Sequence, residues 1–155
     1  VAADSIRRAR PDAVVDVAEL DLGSLDAIRE QAAAIAERFP KIDVLMNNAG
    51  VMACPFGHTA DGFEMQFGTN HLGHFELTHL LEPAVLAGDN PRIVILSSAA
   101  HGIADVDLDD PNFEHTAYDD YWKARDIRRA SSRGLEDRLV GERKRVQATS
   151  TQRLT

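Results

Sequence analysis

Two short apolar runs, Ile42 to Met46 (IDVLM) and Arg92 to Leu96 (RIVIL), constrain this chain more than any other feature. Neither alternates between polar and apolar residues, as a strand with one wet face would. Each therefore suits a strand buried on both faces of a parallel sheet. Parallel neighbours cannot be joined by a tight hairpin and need a crossover, usually a helix. The chain supplies one: from about Asp61 to Leu81, Phe63, Phe67, Asn70, Phe75, Leu77 and Leu81 lie in a long helical stretch, expected to break near Pro83.

The same pattern is read further upstream. Val14 to Leu20 (VVDVAEL) is short and valine-rich, ends at the turn signal Asp21-Leu22-Gly23, and is expected to be a strand. Ser24 can cap the helix that follows, in which Leu25, Ile28, Ala32, Ile35, Ala36 and Phe39 recur at helical spacing until Pro40 stops it. Strand, helix, strand, helix, strand implies right-handed crossovers, a doubly wound parallel sheet and helices on both faces. In such α/β sheets ligands bind beyond the carboxyl ends of the strands, and Asp21, Asn48 and Ser98 each follow one.

The charge balance narrows the partners. With a net charge of -8, the chain would repel nucleic acid phosphates and anionic lipid. The charge is uneven, however: residues 1–122 hold 7 Lys/Arg against 21 Asp/Glu, and residues 123–155 hold 10 against 4. Apolar content drops at the same place, so residues 1–122 read as a core and 123–155 as a basic, low-apolar tail of unassigned order. Arg7 to Arg10 and Arg143 to Arg145 read as solvated surface. No apolar run approaches a membrane span or a secretory signal, which points to the cytoplasm. Cys54 is the single cysteine, so an internal disulfide is impossible, and it reads as a small loop residue. The six histidines form no convincing ligand set, and no metal is expected.

Taken singly, Asn47-Asn48-Ala49-Gly50 could be a turn, and the serine pair Ser97-Ser98 is weaker still. Their order changes the odds. Asn-Asn-Ala-Gly after the IDVLM strand, FGTNHLGHF from Phe67 to Phe75, and RIVILSSAAH from Arg92 to His101 together resemble the short-chain dehydrogenase/reductase family. The string from Asn70 to Phe75 and the later DLDDPNFE look most like its retinol-dehydrogenase-like and protochlorophyllide-reductase-like branch.

The resemblance implies an incomplete Rossmann-like domain and an oxidoreductase moving a hydride between NAD or NADP and a small alcohol or carbonyl substrate. It implies that Asp21 and Leu22 lie beside the adenine, and that Asn48, Ala49 and Gly50 support the sheet and line the ribose. Asn70 would hold a water in a proton relay, and Ser98 would hydrogen-bond the substrate oxygen, with Ser97 as the alternative if the register slips. Full-length members can be homo-oligomers. The acid or base of the family is a tyrosine with a lysine one helical turn on, since i and i+4 share a face and the cation lowers the phenol's pKa.

Two parts of that pattern are absent. No G-x-x-x-G-x-G turn precedes Asp21, so the first strand and the residue choosing NAD or NADP are expected to be missing. In YDDYWKARDIRRASS, Tyr118 has Trp122 four residues on and Tyr121 has Arg125, whose fork differs from a lysine's point charge. Tyr121 is thus a poor catalytic candidate. Codons GAT, ATN, CGG, CGA, GCA and AGY for residues 126 to 131, read from the third base, would encode Tyr-x-Ala-Ser-Lys, so a frame slip or gene-model boundary near Trp122 stands beside real divergence. The expected consequence is a chain with an exposed sheet edge, poor stability and no activity, or else a non-catalytic interaction fragment.

Overall fold

The computed structural model describes residues 2–97, 107–118 and, as backbone, 147–152. The elements are α1 (Ala2–Ala9), α2 (Leu25–Arg38), β1 (Val44–Asn47), α3 (Met65–Phe67) continuing into a π-helical segment (Gly68–Gly73) and then α4 (His74–Leu86), β2 (Arg92–Ser97) and β3 (Gln147–Gln152). The three strands form one parallel sheet in the order β1-β2-β3. Its class is the α/β arrangement expected from the two apolar runs, and it is incomplete.

Local chemistry explains most boundaries. Ser24, in extended backbone, accepts from the Ala27 amide at 3.3 Å and starts α2, while Asp61 accepts from the Leu25 amide at 2.8 Å. Asp26 in the first turn and Arg38 in the last complement the helix dipole. Ile28 and Ala32 lie on one face of α2 and are buried with Leu77 and Leu81 of α4 and with Leu22. A second cluster joins Val85 of α4 to Ile93 and Ile95 of β2. Ile42 and Leu45 touch both clusters, so β1 packs where they meet. Burial of Ile28 and Ile93 is complete, and truncating either to alanine would cost about 2–5 kcal/mol.

Two expectations need correcting. Val14 to Leu20 is not a strand: Val14 is 92% and Val17 77% exposed, and the segment leads toward α2 without joining a ladder. Its composition suits a strand, but a strand exists only beside another strand that takes its N–H and C=O groups, and among the described residues no strand lies beside it; the Val15 carbonyl accepts from the Arg7 side chain at 2.7 Å instead. The long helix does not break at Pro83. It runs to Leu86, because Pro83 is exposed and removes only one hydrogen bond, near the helix end where the Ala87 amide still reaches the Pro83 carbonyl.

The sheet's third strand comes from the basic tail. β3 pairs along the whole of β2, from Arg92 beside Gln147 to Ser97 beside Gln152. On the other side β1 has no partner strand among the described residues, and Val44 and Met46 are 51% and 59% exposed.

Candidate active site

The register sets the site. Asn47 lies beside Ile95, so the chain leaves β1 and β2 at the same carboxyl edge of the sheet. Asn48, Ala49 and Gly50 follow β1 there and are exposed. Ser98 is the next residue after β2 and, like Tyr121, lies outside the described residues, while Ser97 is the last residue of β2.

The π segment joins the remaining candidates. Gly73 presses against Leu22, where a Cβ would collide with the Leu22 carbonyl, and Gly23 lies near the Thr69 hydroxyl. The Asp21-Leu22 turn is thereby held against the helix that carries Asn70. Asp21 is exposed, with its carboxylate accepting from the Gly23 amide at 2.8 Å, whereas the Leu22 side chain belongs to the core. Asn70 is only 4% exposed and pairs with Val51 as a neighbouring strand would: its Oδ1 accepts from the Val51 amide at 2.8 Å and its Nδ2 donates to the Val51 carbonyl at 2.7 Å. Its amide fastens the loop that follows Asn-Asn-Ala-Gly. Asp21, Leu22, Asn48, Ala49, Gly50 and Asn70 are all brought to one end of the sheet.

A buried polar chain supports that arrangement. Asn47 donates to the Thr78 hydroxyl at 2.8 Å, Thr78 donates to the His74 carbonyl at 2.7 Å, and His74 Nδ1 lies 3.0 Å from the Asn70 carbonyl. A carbonyl only accepts, so that nitrogen carries the proton. It caps a carbonyl in a π-helical stretch, a rare geometry that is frequent at functional sites. Asn47, rather than the three residues after it, ties β1 to the helix.

A second knot gathers around Glu64 and Tyr118. Glu64, 1% exposed, accepts from the Gln66 and Phe67 amides at 2.9 and 2.7 Å and so starts the helix toward Asn70. Gln66, fully buried, accepts from the Ala53 amide at 3.2 Å and donates to the Tyr118 hydroxyl at 2.8 Å. The Tyr118 proton can go to Glu64 or to the Cys54 carbonyl, both at 3.2 Å. Burial is the main cause that pushes the Tyr118 phenol up to about 12. A phenol so held is the wrong acid for neutral pH, in keeping with its lack of a lysine four residues on.

Asp110 organises the segment that leads to Tyr118, accepting from the Glu114 and Thr116 amides at 2.7 and 2.9 Å and from the Thr116 hydroxyl at 2.8 Å. Burial works to raise its carboxyl, but these hydrogen bonds outweigh it and hold it below the usual range. Asn112 accepts from the Glu64 amide at 2.9 Å. Gln66, Asn112 and Tyr118 escape sequence reasoning because each acts across a long separation, whereas Glu64, as a helix cap, and His74, on the carbonyl four residues back, act locally. The turn-forming Asp110-Pro111-Asn112 also carries a local signal.

Against this geometry, the short chain dehydrogenase family profile matches residues 2–105. The chain belongs to that family. It is retinol-dehydrogenase-like: human retinol dehydrogenase 13 is 50% identical over 117 residues, which are 76% of this chain and 35% of that protein. Human retinol dehydrogenase 14 is 47% identical over 100 residues, 64% of this chain and 30% of that protein. The chain spans about a third of the length of these relatives. A Mycobacterium paratuberculosis crystal structure matches with a TM-score of 0.80 at 35% identity, covering 97% of this chain and 55% of that one. A Burkholderia phymatum short chain dehydrogenase solved in complex with NAD shares the fold, with a TM-score of 0.69 at 22% identity over 97% of this chain and 50% of that one.

Asp21, Asn48, Ala49 and Gly50 are exposed and Leu22 is buried, and no glycine-rich turn, whose helix terminus could meet a pyrophosphate, occurs before Asp21 in this sequence. Among the described residues no cluster of His, Cys, Asp and Glu could hold a metal, and no helix is long and apolar enough to cross a membrane.

Proposed function

We propose that this chain is part of an NAD(P)-dependent oxidoreductase that transfers a hydride between the nicotinamide and an alcohol or carbonyl substrate, and that the chain by itself does not turn over. The observation that carries it is the meeting of the Asp21-Leu22 turn, the Asn48–Gly50 loop and Asn70 at one sheet edge, around the π segment. The nicotinamide, when bound, supplies the hydride acceptor or donor. Asp21 and Leu22 would face the adenine and Asn48, Ala49 and Gly50 the ribose, while Asn70 positions their loop through Val51. Ser98 would hydrogen-bond the substrate oxygen, which needs a proton partner once hydride has moved. Tyr121 with Arg125 is a weak substitute for a tyrosine–lysine pair.

Residues 1–122 form the catalytic-domain part and 123–155 the tail, in a cytoplasmic protein whose complete form can be a homo-oligomer. Calorimetry with NADH and NADPH on the 155-residue chain should show no tight binding, and a panel of alcohols and aldehydes no turnover. Turnover that Ser98→Ala abolishes would overturn the inactive part of the proposal. The flanking and internal coding DNA tests the rest: a reading frame restoring Tyr-x-x-x-Lys and the glycine turn should yield an NAD(P)-dependent enzyme sensitive to Asn70→Ala. Codons at 126 to 131 other than GAT, ATN, CGG, CGA, GCA and AGY would dispose of the frame slip and favour the second reading, a non-catalytic fragment. The edge of β1, which has no partner strand among the described residues, is what favours that alternative.

A further inference from the structure

Among the described residues only two that are not glycine have positive φ, Ala53 at 52° and Phe113 at 59°. Both flank the Tyr118 knot. The Ala53 amide is held by Gln66, which donates to the Tyr118 hydroxyl, and the Phe113 ring packs edge-on against the Tyr118 ring with centroids 5.0 Å apart. Left-handed backbone is unfavourable for a side chain with a Cβ and persists only where surrounding contacts over-determine it. The over-determining contacts converge on Tyr118. Its hydroxyl meets the segment after Asn-Asn-Ala-Gly at Cys54 and the helix leading to Asn70 at Glu64 and Gln66, its ring packs on Phe113, and the Glu64 amide donates to Asn112 of the 110–116 loop at 2.9 Å.

We propose that Tyr118 is a positioning residue whose hydroxyl, through Glu64 and Gln66, locks two strained loops, 51–54 and 110–116, into one arrangement and so steadies the loop that Asn70 holds at Val51. Its bearing on catalysis rests on the proposed oxidoreductase site; the locking itself does not. Phe56 and Phe113 clasp the Tyr118 ring, so Tyr118→Phe removes the hydroxyl and keeps the packing.

The test is amide hydrogen exchange on the complete 155-residue chain. Tyr118→Phe should speed exchange by about five- to tenfold in both 51–54 and 110–116, the scale of one lost hydrogen bond, with α2 and β2 unchanged. Adding Ala53→Gly, which tolerates positive φ, should recover protection in 51–54 and leave 110–116 loosened. Asn112→Ala, which frees the Glu64 amide from the other end, should loosen the same two segments and stands in if Tyr118→Phe does not fold. Faster exchange in 110–116 alone, equal acceleration in α2 and β2, or no change would overturn the proposal. No cofactor enters these measurements. Turnover by the complete enzyme that is indifferent to Asn70→Ala would sink the oxidoreductase site and leave the locking by Tyr118 untouched.

Discussion

His71 sits in the π segment with its ring stacked on Phe67 and its Nδ1 buried without a partner among the described residues. Burial, and then the neighbouring His74, hold its pKa below the ordinary 6.5. The folded chain therefore refuses a proton that the unfolded chain accepts. As pH falls below about 6.5 toward the folded pKa, stability should drop. His71→Leu should remove that part of the acid sensitivity, read as a smaller change in urea midpoint between about pH 7.5 and 5.5 than the parent shows. Tyr118 acts at the other end of the scale. The chain has two tyrosines, and absorbance titration should find one ionising near 12. A phenol raised in the folded state stays protonated while the unfolded one ionises, so its contribution is lost as pH climbs above 10.0 toward about 12. Two ordinary phenol transitions would show that the Tyr118 hydroxyl is not buried in its knot.

At the scale of elements, α2 and the long helix carry the site, and each depends on one small residue. Ser24→Ala removes the cap of α2 and should cost about 1 kcal/mol in chemical denaturation. Gly73→Ala should cost more, because the new methyl meets the Leu22 carbonyl, a backbone atom that cannot swing aside. A change at Gly73 should also perturb Asp21, whose turn rests on that contact. The helix α2, the long helix and the strands β1 and β2 are legible in the sequence because their signals are local: caps, apolar spacing, and apolar runs. The π-helical turn is not, since FGTNHLGHF continues the helical pattern and the extra residue per turn is set by Leu22, Val51 and His74 meeting that stretch.

Across the whole molecule, the two core clusters cover one face of β1, while Val44 and Met46 on its other face, with Val14 and Val17, remain exposed. Burial contributes roughly 25 cal/mol per Å² of apolar surface, and surface left in water contributes none of it. The isolated chain should therefore melt below about 45 °C, the lower end for mesophilic domains. A sharp calorimetric transition well above that temperature would contradict the uncovered sheet. Composition and pattern alone determined the α/β class, the two apolar strands and the order of candidate residues along the chain, because those follow from the spacing of apolar side chains and from residues next to strand ends; that β1 is buried on one face rather than the expected two was not legible there. Tertiary structure alone decided that Val14 to Leu20 has no ladder to join among the described residues, that β3 comes from the tail, that Asn47 rather than Asn48 is buried, and that Tyr118 is a fastening. Each of those depends on which distant backbone or side-chain group supplies the missing hydrogen-bond partner, and no local pattern records that.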